Sequence, residues 1–186
     1  MMVSDMPTIG VAIPVPDPYG SELRAHRASF GDPLAETVPS HVTLLPPTEV
    51  ERDELPDVIE RLESIATRHR PFTMRLHGTG TFRPVSPVVF VTVSQGISPT
   101  EVLAKAVRDK LLRGELAFPY HPHITVAHHL DETALDHAFD ALRDYECRFD
   151  VTSFALYVHD GSAGWTPSRV FDLTGGIVHE RGAGSG

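Results

Sequence analysis

A chain of 186 residues is long enough for one domain, or for one domain built from two similar halves. Hydrophobic residues make up 41% and charged residues 22%, a balance that supports a packed core and excludes global disorder. The net charge of −9 opposes a protein that coats long nucleic acid, so a small nucleotide or an RNA end is the better-matched partner.

The sequence has no apolar run of membrane-spanning length. Met1 to Pro7 carries an acidic residue and no basic one, unlike a secretory leader. The lone Cys147 excludes an internal disulfide and a cysteine-rich zinc site, and its position between a helical and a strand pattern suggests a packed thiol. A cytoplasmic monomer without a cofactor is the expectation.

In chain order, Thr8 to Val15 reads as a strand. Pro16-Asp17-Pro18 ends it and starts a helix over about 18–30, with Asp17 as N-cap and Leu23 and Phe30 buried. His41 to Leu45 reads as a strand bounded by Pro39 and by Pro46-Pro47. Leu55, Val58, Ile59, Leu62, Ile65 and Ala66 then follow the spacing of one buried helical face. Phe72 to Leu76 and Val88 to Val93 read as strands separated by a loop rich in Gly, Pro and Ser.

Ser98-Pro99-Thr100-Glu101 has the form of a capping box, opening a helix with Val102, Leu103, Ala106, Val107 and Leu111 on its apolar face and Gly114 as its stop. His123 to Val126 is a further strand. Asp131 caps a helix with Leu135, Ala138, Phe139 and Leu142 on one side, and strands follow at about Phe149 to Val158 and Val170 to Leu173. The tail from Gly175 is glycine-rich, and mobility is expected there.

After His41 the order is strand, long helix, strand, strand, and it repeats after His123. This suggests one domain over 1–174 made of two halves, about 1–97 and 98–174, with 175–186 as a tail. The expected fold is α+β and bilobal with pseudo-two-fold symmetry: two mostly antiparallel sheets, one per lobe, helices outside and a cleft between.

The chemistry-bearing segments are His41-Val42-Thr43-Leu44 and His123-Ile124-Thr125-Val126. Side chains alternate across a strand, so each segment offers an imidazole and a hydroxyl to one face and two apolar anchors to the other. Composition alone yields roughly a quarter of one such tetrapeptide in a chain this size, so a single copy is weak evidence. Two copies at matching places are much stronger. The third triplet, His77-Gly78-Thr79, is flanked by glycines and reads as a loop. Displacement at phosphorus needs a base for the attacking oxygen and an acid for the leaving one, and histidine serves either role near neutral pH. His41 and His123 are therefore the candidate catalytic residues. Thr43 and Thr125 are the candidate phosphate donors, and no metal is required.

With these two motifs the chain resembles the two-histidine (2H) phosphoesterase superfamily, which includes 2′,5′ RNA ligases and cyclic nucleotide phosphodiesterases. Pro46-Pro47 after the first motif and Tyr120-His121-Pro122 before the second also match, and the resemblance covers about residues 8–174. It implies a metal-independent site that opens a 2′,3′-cyclic phosphate to a 2′-phosphate, or joins RNA ends reversibly through a 2′,5′ bond. The assignment of acid and base stays open, with His123 read as the base and His41 as the acid. Many RNA-ligase-type members carry an arginine shortly after the second motif, where this chain has His128 and His129.

Tyr120 is a candidate for stacking on a base, and His128, Phe82 and Arg83 are further candidate substrate contacts. Trp165 and Arg169 occupy the corresponding region of the second half. Two rival readings remain: a module that binds a phosphorylated ligand without turning it over, and a metal-dependent hydrolase built on the histidines between 121 and 129.

Overall fold

A computed structural model describes residues 6–111, 119–159 and 164–176. The described strands form two antiparallel four-stranded sheets. The first holds β2 (His41–Glu49), β1 (Thr8–Pro14), β7 (Ser153–His159) and β8 (Trp165–Asp172), in that order. The second holds β5 (His123–His128), β4 (Val88–Gln95), β3 (Phe72–Thr81) and β6 (Glu146–Val151). Each sheet takes two strands from before residue 97 and two from after it, so the chain crosses between lobes within each half. Both motif strands, β2 and β5, lie at sheet edges and pack near each other.

Helices α1 (Tyr19–Ser29) and α4 (Glu132–Ala141) pack toward the β5 side, whereas α3 (Ile97–Leu111) lies on β2 and α2 (Leu55–Thr67) lies on α3 and β8. One continuous apolar cluster joins these layers, from Ile9, Val42 and Leu44 through Met74 and Leu103 to Ile124 and Phe154. Cys147 is buried in it as a packed thiol, and desolvation raises its pKa. Among the described residues no helix is long and apolar enough to cross a membrane.

Helix boundaries follow local chemistry. Asp17 accepts from the backbone N–H and hydroxyl of Ser21 (2.9 and 2.6 Å), closing the first turn of α1 although the helix itself starts at Tyr19. Asp131 accepts from the N–H of Ala134 (2.8 Å) and caps α4 as expected. Helix α3 starts at Ile97, one residue before the expected cap. Its first turn is closed by the N–H and hydroxyl of Thr100 on the Gly96 carbonyl, so Ser98 does not act as N-cap. Its buried face is Thr100, Leu103, Ala104, Val107 and Leu111, which rotates Val102 outward to 58% exposure. Gly114 and residues 177–186 lie outside the described residues. Gly175, placed in the tail by sequence, is docked through its N–H on the His69 carbonyl (2.9 Å).

Three strand expectations are corrected. Strand β2 continues through Pro46-Pro47 to Glu49, because an edge strand has one side where a missing N–H costs no ladder bond. The segment His77-Gly78-Thr79-Gly80 is strand and not loop. Gly78, at φ +76°, absorbs a register irregularity between Leu76 and Thr79 in the pairing with β4. The run from Phe149 to Val158 is two strands in different sheets, β6 and β7, with the chain turning at Thr152.

Candidate active site

The motif parity is realised side chain by side chain. Val42 and Leu44 on β2 are 0% exposed, while His41 and Thr43, which alternate with them, are only half-buried. On β5, Ile124 and Val126 enter the core, while His123 and Thr125 remain half-buried. Burying each apolar anchor contributes about 1.5–3 kcal/mol, so the strands hold their histidines and threonines by burying the opposite face.

Both histidines are anchored the same way. His41 Nδ1–H donates to the Pro39 carbonyl at 2.7 Å, and His123 Nδ1–H donates to the His121 carbonyl at 2.7 Å. A carbonyl can only accept, so Nδ1 carries the proton in both rings. Each Nε2 is left without a partner among the described residues, a base when the ring is neutral and a donor when it is charged. The Thr43 and Thr125 hydroxyls likewise have no partner among the described residues.

Burial lowers the pKa of both imidazoles below the ordinary histidine range, only partly offset by the carbonyl each bonds. Smaller contributions are the Arg27 charge, which disfavours protonation of His41, and the His121 and His41 charges, which disfavour protonation of His123. The two motif histidines therefore sense one another, and the pair resists holding two protons.

Two cavities meet at Thr43. The larger, about 610 Å³, is lined from β2 by Thr43, Leu44 and Pro46, from β5 by His123, Thr125 and His128, and by Phe82, Tyr120 and Arg108. The smaller, about 110 Å³, is lined by His41 and Thr43 together with Gly10, Ala12, Tyr157 and Trp165. Each histidine thus opens on its own side of a shared threonine.

Of the further candidates, Phe82 lines the larger cavity and meets the His123 ring edge-on, with centroids 4.9 Å apart. Tyr120 also lines it, but its ring face is covered by the Arg108 guanidinium at 4.6 Å. Its hydroxyl donates to the Thr43 carbonyl (2.7 Å) and so ties the approach to β5 onto β2. His128 lines the cavity with its ring stacked on His129, centroids 3.7 Å apart, and burial lowers its pKa. It is no substitute for a permanently charged arginine there.

Arg83 is not brought into the cavity. Its guanidinium is held on α4 by Glu132 (2.9 Å) and Asp136 (2.8 Å). Arg169 faces Glu63 of α2 at 3.8 Å, whereas Trp165 reaches the smaller cavity beside His41. Among the described residues no three His, Cys, Asp or Glu side chains converge as a metal site needs.

Several site residues were not identified by sequence reasoning. Arg108 sits on a helix as one charge among many, with nothing local to mark it. Tyr157 lies in a strand whose two faces are both covered. Arg27 and Asp32 form a buried pair (Nε to Oδ2, 2.8 Å), and Asp32 also accepts from the His128 backbone N–H at 3.1 Å. The five-residue spacing of that pair has no helical signature, since Asp32 lies beyond the end of α1.

Comparisons with known proteins agree with this geometry. A protein of Halalkalibacterium halodurans that carries a phosphoesterase name is 28% identical over 166 residues, covering 88% of this chain and 96% of its own. A similarly named protein of Bacillus cereus is 27% identical over 144 residues, covering 76% and 83%. Crystal structures of E. coli LigT with NADP+ (TM-score 0.66, 24% identity, covering 92% of this chain and 99% of LigT) and of TT0787 from Thermus thermophilus (0.65, 23%, 91% and 99%) share the fold. The family model of the 2′-5′ RNA ligase superfamily matches residues 15–163. With that match over most of its length, two anchored histidine motifs and the fold of LigT, the chain belongs to the 2′-5′ RNA ligase superfamily of 2H phosphoesterases.

Proposed function

We propose that this protein hydrolyses 2′,3′-cyclic phosphates of nucleotides or RNA ends to 2′-phosphates without a metal, using His41 and His123 as an acid–base pair. The observation that carries the reading is the matched Nδ1 anchor on each ring, which leaves two Nε2 atoms free for proton transfer.

His123, neutral, takes a proton from the attacking water as the new P–O bond forms. His41, protonated, gives its Nε2 proton to the 3′ oxygen as the P–O3′ bond breaks. The reaction needs one proton on the pair, the state favoured when two imidazoles repel each other's charge. Thr43 and Thr125 donate to the non-bridging oxygens, whose charge grows in the transition state. A 5′-hydroxyl in place of water gives a 2′,5′ linkage by the same proton transfers. Crystals of E. coli LigT with 3′-AMP and with phosphate fit a family site that accepts such groups.

The test is turnover of a 2′,3′-cyclic mononucleotide in the presence of a chelator by wild type, His41→Ala and His123→Ala. Each substitution is expected to lower the rate by at least ~10². A folded variant with the wild-type rate, or loss of wild-type activity to the chelator, would refute the scheme.

A further inference from the structure

Resting on the reaction proposed above, we infer that the small cavity beside His41 is the nucleobase site, with Trp165 and Tyr157 as its aromatic walls. Tyr120, the aromatic that sequence singles out for this role, already has the Arg108 guanidinium over its ring and its hydroxyl committed to the Thr43 carbonyl. It is better placed to hold β2 than to receive a base.

The small cavity is built differently. Strand β1 alternates large core residues, Ile9, Val11 and Ile13, with Gly10 and Ala12 on the cavity side. Those two small residues let the Trp165 indole pack down on β1. A Cβ on Gly10 would stand 3.4 Å from the indole, in ordinary contact, so a larger side chain there would push the ring out of place. Tyr157, paired with Gly10 across β7 and only 8% exposed, forms the neighbouring wall.

Neither the Tyr157 hydroxyl nor the Trp165 indole N–H has a hydrogen-bond partner among the described residues. Both atoms reach solvent through the cavity, since no buried side-chain N or O among the described residues lacks a partner, and a ligand with polar edges can bond them in place of water. A flat ring laid against aromatic walls, with polar atoms on its rim, describes a purine or pyrimidine.

Size and position agree. Pockets for whole drug-sized ligands run to about 300–1,000 Å³, the class of the larger cavity, whereas 110 Å³ suits a single ring system. The two cavities join at Thr43, where the phosphate is expected. The base then lies on the His41 side, and the open, mainly apolar larger cavity receives whatever continues from the nucleotide.

Trp165 is the only tryptophan in the chain, so its fluorescence reports on this pocket directly. Adenosine 2′-monophosphate should quench it saturably, while ribose 5-phosphate, which carries phosphate and sugar without a base, should not. Trp165→Ala should raise the KM for a 2′,3′-cyclic nucleotide about ten-fold, the scale of one lost base–aromatic stack, with kcat nearly unchanged. Gly10→Val, confirmed folded by circular dichroism, should do the same by displacing the Trp165 ring.

Equal responses to the two ligands, or none, together with an unchanged KM in both variants, would overturn the assignment. Failure of the reaction reads differently: a wild type that leaves cyclic phosphates intact but shows base-dependent quenching refutes the chemistry and retains the pocket.

Discussion

Strands β2 and β5 carry the same four-residue motif, the same alternation and the same Nδ1 anchor, yet they open on different surroundings. His41 shares a small cavity with Tyr157 and Trp165 and feels the charge of Arg27. His123 faces a larger cavity, edge-on to Phe82 and near His121. Sequence symmetry supplies two equivalent candidates for proton transfer, and the unsymmetrical surroundings can divide their tasks. That division is open to direct attack.

The largest expected effects are the losses of at least ~10² on replacing either histidine, which should be similar for both because the proposed reaction uses one at each end of the same displacement. Next come Thr43→Val and Thr125→Val, which keep the shape and remove the hydroxyl. Each should lower kcat about 10- to 100-fold, the scale of one hydrogen bond to a charged group, with the melting temperature nearly unchanged. A large loss at one threonine and none at the other would show that only one strand holds the phosphate. Behind the motif face, Leu44→Ala and Ile124→Ala should each destabilise the fold by about 2–5 kcal/mol in denaturant unfolding, since both side chains are fully buried.

The alternation that creates this site was legible in the sequence because strand geometry has a period of two, and His-Val-Thr-Leu can be sorted to its faces without knowing the neighbours. Helices α2 and α4 were legible for the corresponding reason at period 3.6. Features set by sheet position were not. Pro46-Pro47 looks like a strand end, and only edge placement lets β2 run through it. The split at Thr152 depends on two sheets competing for one stretch of strand-forming residues. Arg83 reads as a free loop cation until the fold brings Glu132 and Asp136, about fifty residues away, to meet it. The base-side cavity needs Gly10, Tyr157 and Trp165 together, from three strands that sequence spacing cannot align.

A smaller effect separates the two strands mechanically. Tyr120→Phe removes the hydrogen bond from its hydroxyl to the Thr43 carbonyl while leaving the ring under Arg108. About 1 kcal/mol of stability should be lost, and kcat should fall only a few-fold. Thermal unfolding and steady-state rates check both, and a loss as large as that of a threonine variant would give Tyr120 a direct part in the chemistry.

The finest distinction is in pH. Burial lowers both histidine pKa values in the folded chain, so the unfolded chain binds protons more readily between the ordinary histidine value and the depressed folded ones. The sign follows: this contribution to stability is fully present above about pH 6.5 and is lost as pH falls through the depressed values. Melting temperature should therefore decline from pH 7 toward pH 5, and less steeply in His41→Asn. In catalysis the same depression places the acid limb of the rate profile below the ordinary histidine pKa. With His123 as the base, His121→Asn removes a like charge beside it and should move that limb upward. If the limb stays fixed in His121→Asn but rises when Arg27 and Asp32 are replaced together by Met and Asn, the base is His41 and the proton assignment reverses.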